Sequence, residues 1–228
     1  MFQAVVNGVT VTGGARVTLV DIAVTNNASQ PAVQCTNAAT LYVQNVLISD
    51  KTATPQGGVY ATNCTRLSVE KTKVTGANGY GVFVNGGAGH RIVNNAFING
   101  GSASEQSGIR ISGGANGLFA FNTIANNRQG VQCDSAVAVT DSIVTANPIV
   151  GAPQLSANCQ PTRVVTTNVV LDPTYTTGND PILTSDAMND TCCVDKGMPD
   201  TNMTIKDDYR GTKRPLGNGY DIGFHEAR

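Results

Sequence analysis

Five side chains that recur at equivalent positions of the chain are the strongest candidates for binding chemistry. If the chain stacks as argued below, they form one outward-facing line with a spacing of about 4.8 Å, here called the outward column. Its members are Gln34, Tyr60, Phe83, Arg110 and Gln132. Sugar rings stack on aromatic faces, while Arg and Gln hydrogen-bond hydroxyl groups or a uronate carboxylate. The column therefore predicts a shallow groove for an extended glycan. The alternative is a satellite core in which loops such as residues 100–107 cover Tyr60 and Phe83.

Residues suited to catalysis are fewer. A glycoside hydrolase needs two facing carboxylates, and a calcium-dependent lyase needs several acidic ligands together with a basic residue. The outward column has no carboxylate, and the nearest acids do not fall on adjacent rungs of one face. His90 and Arg110 are weak catalytic candidates, because a lone His is more often a surface or capping residue. We expect no metal site and no cofactor, because no pattern supports calcium.

Charge and composition exclude several classes of partner. The 228 residues include 15 basic and 16 acidic side chains, a formal net charge of -1, without a basic run. Nucleic acid and anionic membrane surfaces are therefore not expected partners. No stretch approaches the roughly 18 apolar residues of a membrane span. Aromatic content of 5%, charged content of 14% and 25 Gly residues favour strands and tight turns over helical bundles.

A repeat of 22 to 27 residues predicts the fold. Each copy starts with a small residue followed by an apolar, a variable and an apolar position, and a second apolar signature follows. The copies begin at Gly8, Ala32, Gly58, Gly81, Gly108 and Gly130. One copy cannot bury its apolar face, whereas stacked copies share a continuous core. We therefore predict an all-β, single-stranded right-handed parallel β-helix of about six coils over residues 1–147. Residues 148–228, which are rich in Pro, are expected to form an irregular closing segment.

Asn or Asp recurs at one position of the second signature. The column is Asp21, Asn45, Asn95, Asn122 and Asp141, with Lys71 as its exception. These residue types tolerate left-handed backbone angles, and stacked amides hydrogen-bond from coil to coil. The column therefore predicts turns and an asparagine ladder rather than a calcium cage.

The six Cys residues suit an oxidising compartment. Cys35 and Cys133 share an inward position, which predicts buried core thiols. Pairing among Cys133, Cys159, Cys192 and Cys193 is left open, because spacing alone does not determine connectivity.

The string from Asp208 to Glu226 is the most specific motif. It reads Asp-Tyr-Arg-Gly-Thr-Lys-Arg-Pro-Leu-Gly-Asn-Gly-Tyr-Asp-Ile-Gly-Phe-His-Glu. It resembles the ending of bacterial surface proteins described as right-handed parallel β-helix repeat proteins of the pectate-lyase-like superfamily, although Phe224-His225 departs from their pattern. The resemblance implies this fold and an exported, surface-associated life, but no reaction. Charge-paired contacts of Asp208, Arg214, Asp221 and Glu226 are expected to pin the segment across the last coil as a cap.

Three functions are left open. The first is a non-catalytic extracellular or cell-surface module, adhesin-like or polysaccharide-binding. The second is a polysaccharide lyase or glycoside hydrolase for a uronic-acid polymer, with part of its active site outside this chain. The third is a structural solenoid that associates end to end, because the repeat is already under way at the first residues. The same start predicts a piece of a longer exported protein whose signal peptide is not in this chain.

Overall fold

Three parallel sheets wrap around one core. The computed structural model describes residues 4–26, 30–50, 57–77, 79–100, 107–113, 116–147, 153–177, 180–199 and 204–226. The sheets are called A, B and C, and their strands are given in the next paragraph. Within the described ranges each coil contributes a strand first to sheet B, then to sheet C and then to sheet A, and the strands of neighbouring coils pair in parallel. Six coils contribute a strand to all three sheets. They are numbered 1 to 6 and begin at Gly8, Ala32, Gly58, Gly81, Gly108 and Gly130. The predicted all-β solenoid is therefore confirmed.

The strands are short. Sheet A contains β1 (Ala4–Asn7), β4 (Ile22–Asn26), β7 (Leu47–Asp50), β10 (Lys73–Thr75), β13 (Ala96–Ile98), β16 (Thr123–Ala125) and β19 (Ile143–Thr145). Sheet B contains β2 (Val9–Val11), β5 (Val33–Thr36), β8 (Val59–Thr62), β11 (Val82–Asn85), β14 (Ser107–Ile111) and β17 (Gln129–Cys133). Sheet C contains β3 (Arg16–Val20), β6 (Thr40–Gln44), β9 (Arg66–Glu70), β12 (Arg91–Val93), β15 (Leu118–Ala120), β18 (Val137–Thr140) and β20 (Cys159–Thr162).

The repeat signature corresponds to the strands of sheet B. Its two apolar positions point inward, so that Val82 and Val84 are buried in the core while successive side chains alternate between faces. The small residue that opens each copy lies at the corner after sheet A. A Cβ at Gly58 would lie 2.5 Å from Val74 Cγ1, and one at Gly81 would lie 2.9 Å from Phe97 Cδ1. The signature therefore begins with a small residue because sheet A fills the space beside it.

A left-handed residue makes the turn from sheet C to sheet A in every full coil. The φ angles at this position lie between 46° and 56°, and the residues are Asp21, Asn45, Lys71, Asn94, Phe121 and Asp141. The predicted asparagine column is therefore wrong in two coils, because Asn95 and Asn122 lie one residue further along. The error arose because Asn94 precedes Asn95, and because Phe121 adopts an angle that the sequence suggested for Asn.

Asn95 and Asn122 form a buried ladder beside these turns. The Thr72 amide donates to Asn95 Oδ1 (2.9 Å), and Asn95 Nδ2 donates to Asn122 Oδ1 (3.0 Å). The backbone amide of Asn122 donates in turn to Ser142 Oγ (3.2 Å). Both Asn side chains also donate to backbone oxygens, those of Val69 and Ile92. The ladder therefore provides hydrogen-bond partners for backbone groups at the corner, where strand pairing is interrupted.

Stacking continues beyond residue 147, where the coils were expected to end. Leu155 pairs with Val131, β20 extends sheet C, and Val165 pairs with Ile143, all in parallel. A seventh, partial coil therefore extends to Val165. Its apolar positions are spread among Pro and polar residues, which hid it in the sequence.

Disulfides join neighbouring coils. Cys35 pairs with Cys64, with Cα atoms 6.0 Å apart, and Cys133 pairs with Cys159, with Cα atoms 5.2 Å apart. Adjacent Cys192 and Cys193 form the third bridge. Cys35 and Cys133 point into the core as predicted, but as disulfides rather than as thiols, because stacking brings a residue of the next coil within bridging distance.

The rest of the chain, residues 166–226, is here called the C-terminal segment. It contains a 3₁₀ helix (Pro173–Thr177) and α1 (Ala187–Cys192), and in the described ranges neither is long and apolar enough to cross a membrane. It was expected across the end of the last coil. Instead, it packs along the side of coils 3 to 6, on the outer faces of sheets A and C and at the turns between them. Apolar side chains meet there, for example Ile98 with Leu183 and Ala120 with Ile205.

Candidate functional site

The outward column lies on sheet B. Strand pairing aligns Gln34 with Tyr60, Tyr60 with Phe83, Phe83 with Arg110, and Arg110 with Gln132. All five residues therefore lie on one line on consecutive coils, as the repeat predicted. In the described ranges the C-terminal segment contacts sheets A and C and their turns, which leaves this face of sheet B outside its cover.

Three aromatic rings stack at the middle of the column. The ring centroids of Tyr60 and Phe83 are 4.6 Å apart, and those of Tyr80 and Phe83 are 5.3 Å apart. Phe83 lies between two tyrosines and is only 8% exposed, whereas Tyr60 is half-buried. Phe83 therefore belongs to a small satellite core, and Tyr60 is the most exposed of the three rings. The expected cover from residues 100–107 lies outside the described residues except at Gly100 and Ser107.

Tyr80 was missed by the sequence analysis. It immediately precedes the small residue of its repeat, and its hydroxyl accepts a hydrogen bond from Arg110 Nη1 (2.8 Å). Arg110 Nε also donates to Asp134 Oδ2 (3.1 Å). Burial opposes the charge of Arg110, but the Tyr80 hydroxyl and the Asp134 carboxylate outweigh it and raise the pKa of the guanidinium. Arg110 therefore carries a charge that Asp134 balances, and it lacks the free base that general-base catalysis needs.

His90 lies at the corner between sheets B and C and is 1% exposed. Its Nδ1 accepts a hydrogen bond from the Leu67 amide (3.0 Å), and Nε2 lies 2.8 Å from the Gly86 carbonyl oxygen, to which it donates in the same neutral tautomer. Burial lowers the pKa of His90, although the Gly86 contact opposes this shift. Both ring nitrogens are thus occupied by backbone groups, and the geometry gives His90 a structural role. It is neither a surface residue nor placed to transfer a proton.

The four motif residues form one buried cluster. Arg214 Nη1 donates to Glu226 Oε2 (3.0 Å) and to the Asp221 carbonyl oxygen (2.8 Å). Asp208 Oδ2 accepts from the Glu226 amide (3.0 Å), and Asp221 Oδ1 accepts from the Asp195 amide (2.8 Å). The predicted charge pair of Arg214 with Glu226 is therefore present, whereas the contacts described here for Asp208 and Asp221 involve backbone groups of the C-terminal segment.

Arg214 also attaches the segment to the coils. Its Nη2 donates to Asn94 Oδ1 (3.2 Å), and its Cζ lies 4.5 Å from the ring centroid of Phe121. Both partners are turn residues of coils 4 and 5. Three carboxyl groups surround this single guanidinium, and burial raises the pKa of Glu226 to about 7 although Arg214 opposes the shift. The cluster holds the segment against the side of the solenoid.

A further polar cleft lies outside the outward column and the Arg214 cluster. A cleft of about 530 Å³ lies within the C-terminal segment, and Ser185, Asp190, Arg210 and His225 are among its lining residues. It was not predicted, because these residues are separated in sequence. Among the described residues, no three His, Cys, Asp or Glu side chains are grouped as a metal site.

Comparison with known proteins supports the fold. A family model described as the right-handed beta helix region matches residues 7–178, three quarters of the chain. Neither the curated proteins nor the solved structures contain a significant match. With the parallel sheets and the repeat, the family match shows that this chain belongs to the right-handed β-helix family.

Proposed function

We propose that the chain is a non-catalytic glycan-binding module of an extracellular or cell-surface protein, adhesin-like in use. The outward column carries the proposal, because it aligns Gln34, the accessible ring of Tyr60 and the Arg110 network on consecutive coils. Three disulfides support an oxidising compartment. The resemblance of the ending to surface proteins of the pectate-lyase-like superfamily points to the same location.

Stacking within the column limits how a glycan binds. Tyr60 and Phe83 lie ring on ring, with an angle of 18° between their planes, so that these two faces are already in contact. The other face of Tyr60 is directed towards Gln34 of the neighbouring coil, so that a sugar contacts the outer edge of the Tyr60 ring together with the Gln34 amide. Hydroxyl groups further along the glycan bond to Gln34 and Gln132, whose side-chain amides donate and accept hydrogen bonds.

A glycan array on the wild-type protein and on Tyr60→Ala and Gln34→Ala tests the proposal. We expect each variant to lose at least tenfold in affinity. Gln160→Ala is the matched control, because Gln160 is an exposed Gln on β20 of sheet C, away from the outward column, and it should bind as the wild type does. Absence of any bound glycan in the wild type, or equal binding by all variants, would overturn the proposed site.

Catalysis is tested with the same protein. Incubation with pectin, alginate and related uronans should produce neither absorbance from unsaturated ends nor new reducing ends. Release of either product would make the chain a lyase or a hydrolase and end the non-catalytic proposal. End-to-end self-association stays a prediction, which light scattering at high protein concentration checks.

A further inference from the structure

The outer face of sheet C changes character along the solenoid. In coils 4 and 5 its outward side chains include Val93 and Ala120, which pack with Ile205 of the C-terminal segment. In coils 1 to 3 the outward positions other than Val20 are polar or charged side chains and Tyr42. The C-terminal segment borders β3 and β6 only at their ends, where Tyr209, Arg210 and Gly211 line a cleft together with Val20 and Gln44. The first half of sheet C is therefore an accessible polar face.

Two arginines on this face have no carboxylate partner in the described part of the chain. Strand pairing aligns Arg16 with Thr40 and Thr40 with Arg66, so that both arginines lie in one column two coils apart. Both are exposed. Adjacent strands are about 4.8 Å apart, which separates the two positions by roughly 10 Å.

The acid and base content of the face leaves both charges unbalanced. Glu70 is the one acidic residue in β3, β6 and β9. It already pairs with Arg91, whose Nε lies 2.7 Å from Glu70 Oε1. The turns that lead from sheet B into these strands carry no acidic residue in coils 1 to 3. Arg16 and Arg66 thus give this face a positive charge in a protein whose net charge is -1.

Tyr42 lies on β6, the strand between those of the two arginines, two residues after Thr40. The Arg16 Cζ is 5.0 Å from the Tyr42 ring centroid, and Arg16 Nη2 lies 3.3 Å from the Tyr42 hydroxyl. Thr18 and Thr40 contribute hydroxyl groups beside the ring. An aromatic ring and hydroxyl groups between two cations suit a sugar chain that carries acidic groups at regular intervals.

We propose that the outer face of sheet C in coils 1 to 3 is a second binding site, which takes an acidic glycan along the solenoid axis with carboxylate or sulfate groups at Arg16 and Arg66. The site goes beyond the proposed function, because it lies on another sheet and selects charge. Arg110 of the outward column is balanced by Asp134, so that the two faces differ in the glycans they prefer. Sheet B suits neutral sugars, and sheet C suits acidic ones.

Binding of defined polymers to the intact chain tests the site. Polygalacturonate supplies carboxylates and chondroitin sulfate supplies sulfates, while fully methyl-esterified polygalacturonate has the first backbone without charge. We expect binding to at least one acidic polymer, weakened more than tenfold between low and high salt, and no binding to the ester. Arg16→Gln with Arg66→Gln should reduce the affinity at least tenfold, and Lys at both positions should restore part of it.

The matched control is Lys196→Gln with Lys213→Gln, which removes the same charge from exposed positions of the C-terminal segment. It should bind the acidic polymers within twofold of the wild type. Failure to bind either acidic polymer, equal loss in the control, or equal binding to polyglutamate and single-stranded DNA would overturn the proposal. Because Tyr60→Ala reports on the outward column, failure of one site is distinguishable from failure of the other.

His90 provides a local reporter. Its ring accepts a hydrogen bond from the Leu67 amide, next to Arg66, and the charge of Arg66 contributes to the lowered pKa of His90. An acidic glycan at Arg66 should shift the His90 ring resonances in the wild type and not in Arg66→Gln. Binding without any shift at His90 would place the glycan elsewhere.

Discussion

Replacing Asn95 by Leu tests the buried ladder most directly, because Leu has a similar volume and no hydrogen-bonding group. The change removes the acceptor of the Thr72 amide and the donor to the Val69 carbonyl, and it removes one of the two hydrogen bonds that Asn122 Oδ1 accepts from Asn95. Asn95 and Thr72 are fully buried, so that water does not replace the lost partners.

The magnitude follows from these losses. Each buried group left without a partner costs about 1 to 3 kcal/mol, and burial of the Leu side chain offsets part of the sum. We therefore expect the free energy of unfolding to fall by about 2 to 4 kcal/mol. Asn45→Gly is the control, because Asn45 is exposed in a left-handed turn that Gly also adopts, and its change should stay below about 0.5 kcal/mol.

Denaturant unfolding should be paired with amide hydrogen exchange, because the coils of a solenoid can open separately. The Thr72 amide should show the largest gain in exchange rate, since it loses its acceptor directly. A change in unfolding free energy below about 0.5 kcal/mol, with the exchange of Thr72 unaltered, would refute the claim that the ladder supports the corner.

Three further predictions concern the attachments of the chain. Arg214→Met should lower the free energy of unfolding by about 3 to 5 kcal/mol, because it leaves Glu226 buried without its cation. Limited proteolysis of this variant should then cleave the C-terminal segment before it cleaves the coils. Simultaneous cleavage of both would show that Arg214 does not hold the segment in place. Replacing Cys133 and Cys159 together by Ala should lower stability by about 3 kcal/mol, since the bridge spans 26 residues, and an unchanged thermal midpoint would count against it. Burial raises the pKa of Glu226 from 4.5 to about 7, so that the contribution of protonated Glu226 to the free energy of unfolding is full below pH 4.5 and is lost as the pH rises through 7. The free energy of unfolding of the wild type should therefore fall by about 1 to 2 kcal/mol between pH 5 and pH 8. Thermal unfolding of Glu226→Gln over the same pH range should not show this fall.

Local sequence determined the solenoid. Alternation between inward and outward positions is a property of every strand, and the same pattern recurs in each coil, so that Val82 and Phe83 were assigned to opposite faces from their neighbours alone. Because parallel stacking carries one position directly onto its equivalent, the outward column followed from the repeat. The type of side chain at each outward position also followed, and with it the aromatic and amide chemistry of the candidate site.

Tertiary structure decided what joins distant parts of the chain. The contact of Arg214 with Asn94 spans 120 residues, and no local pattern encodes such a pairing. A partial signal did exist, since outward positions change from Thr75 to Ile98 where the C-terminal segment covers sheet A. Apolar residues at outward positions show that a face is covered, but not by which segment.

The same limit applies to residues within the site. The hydrogen bond from the Leu67 amide to His90, that from Arg110 to Tyr80 and the bridge from Cys133 to Cys159 all depend on distances across coils. Such distances are set by how tightly each corner turns, and loops between strands vary in length from coil to coil. The alternation of residues along each strand therefore fixes the face that each strand residue occupies. Which side chains meet across the corners depends on the fold of the whole chain, because the repeat period carries no information about the geometry of the corners.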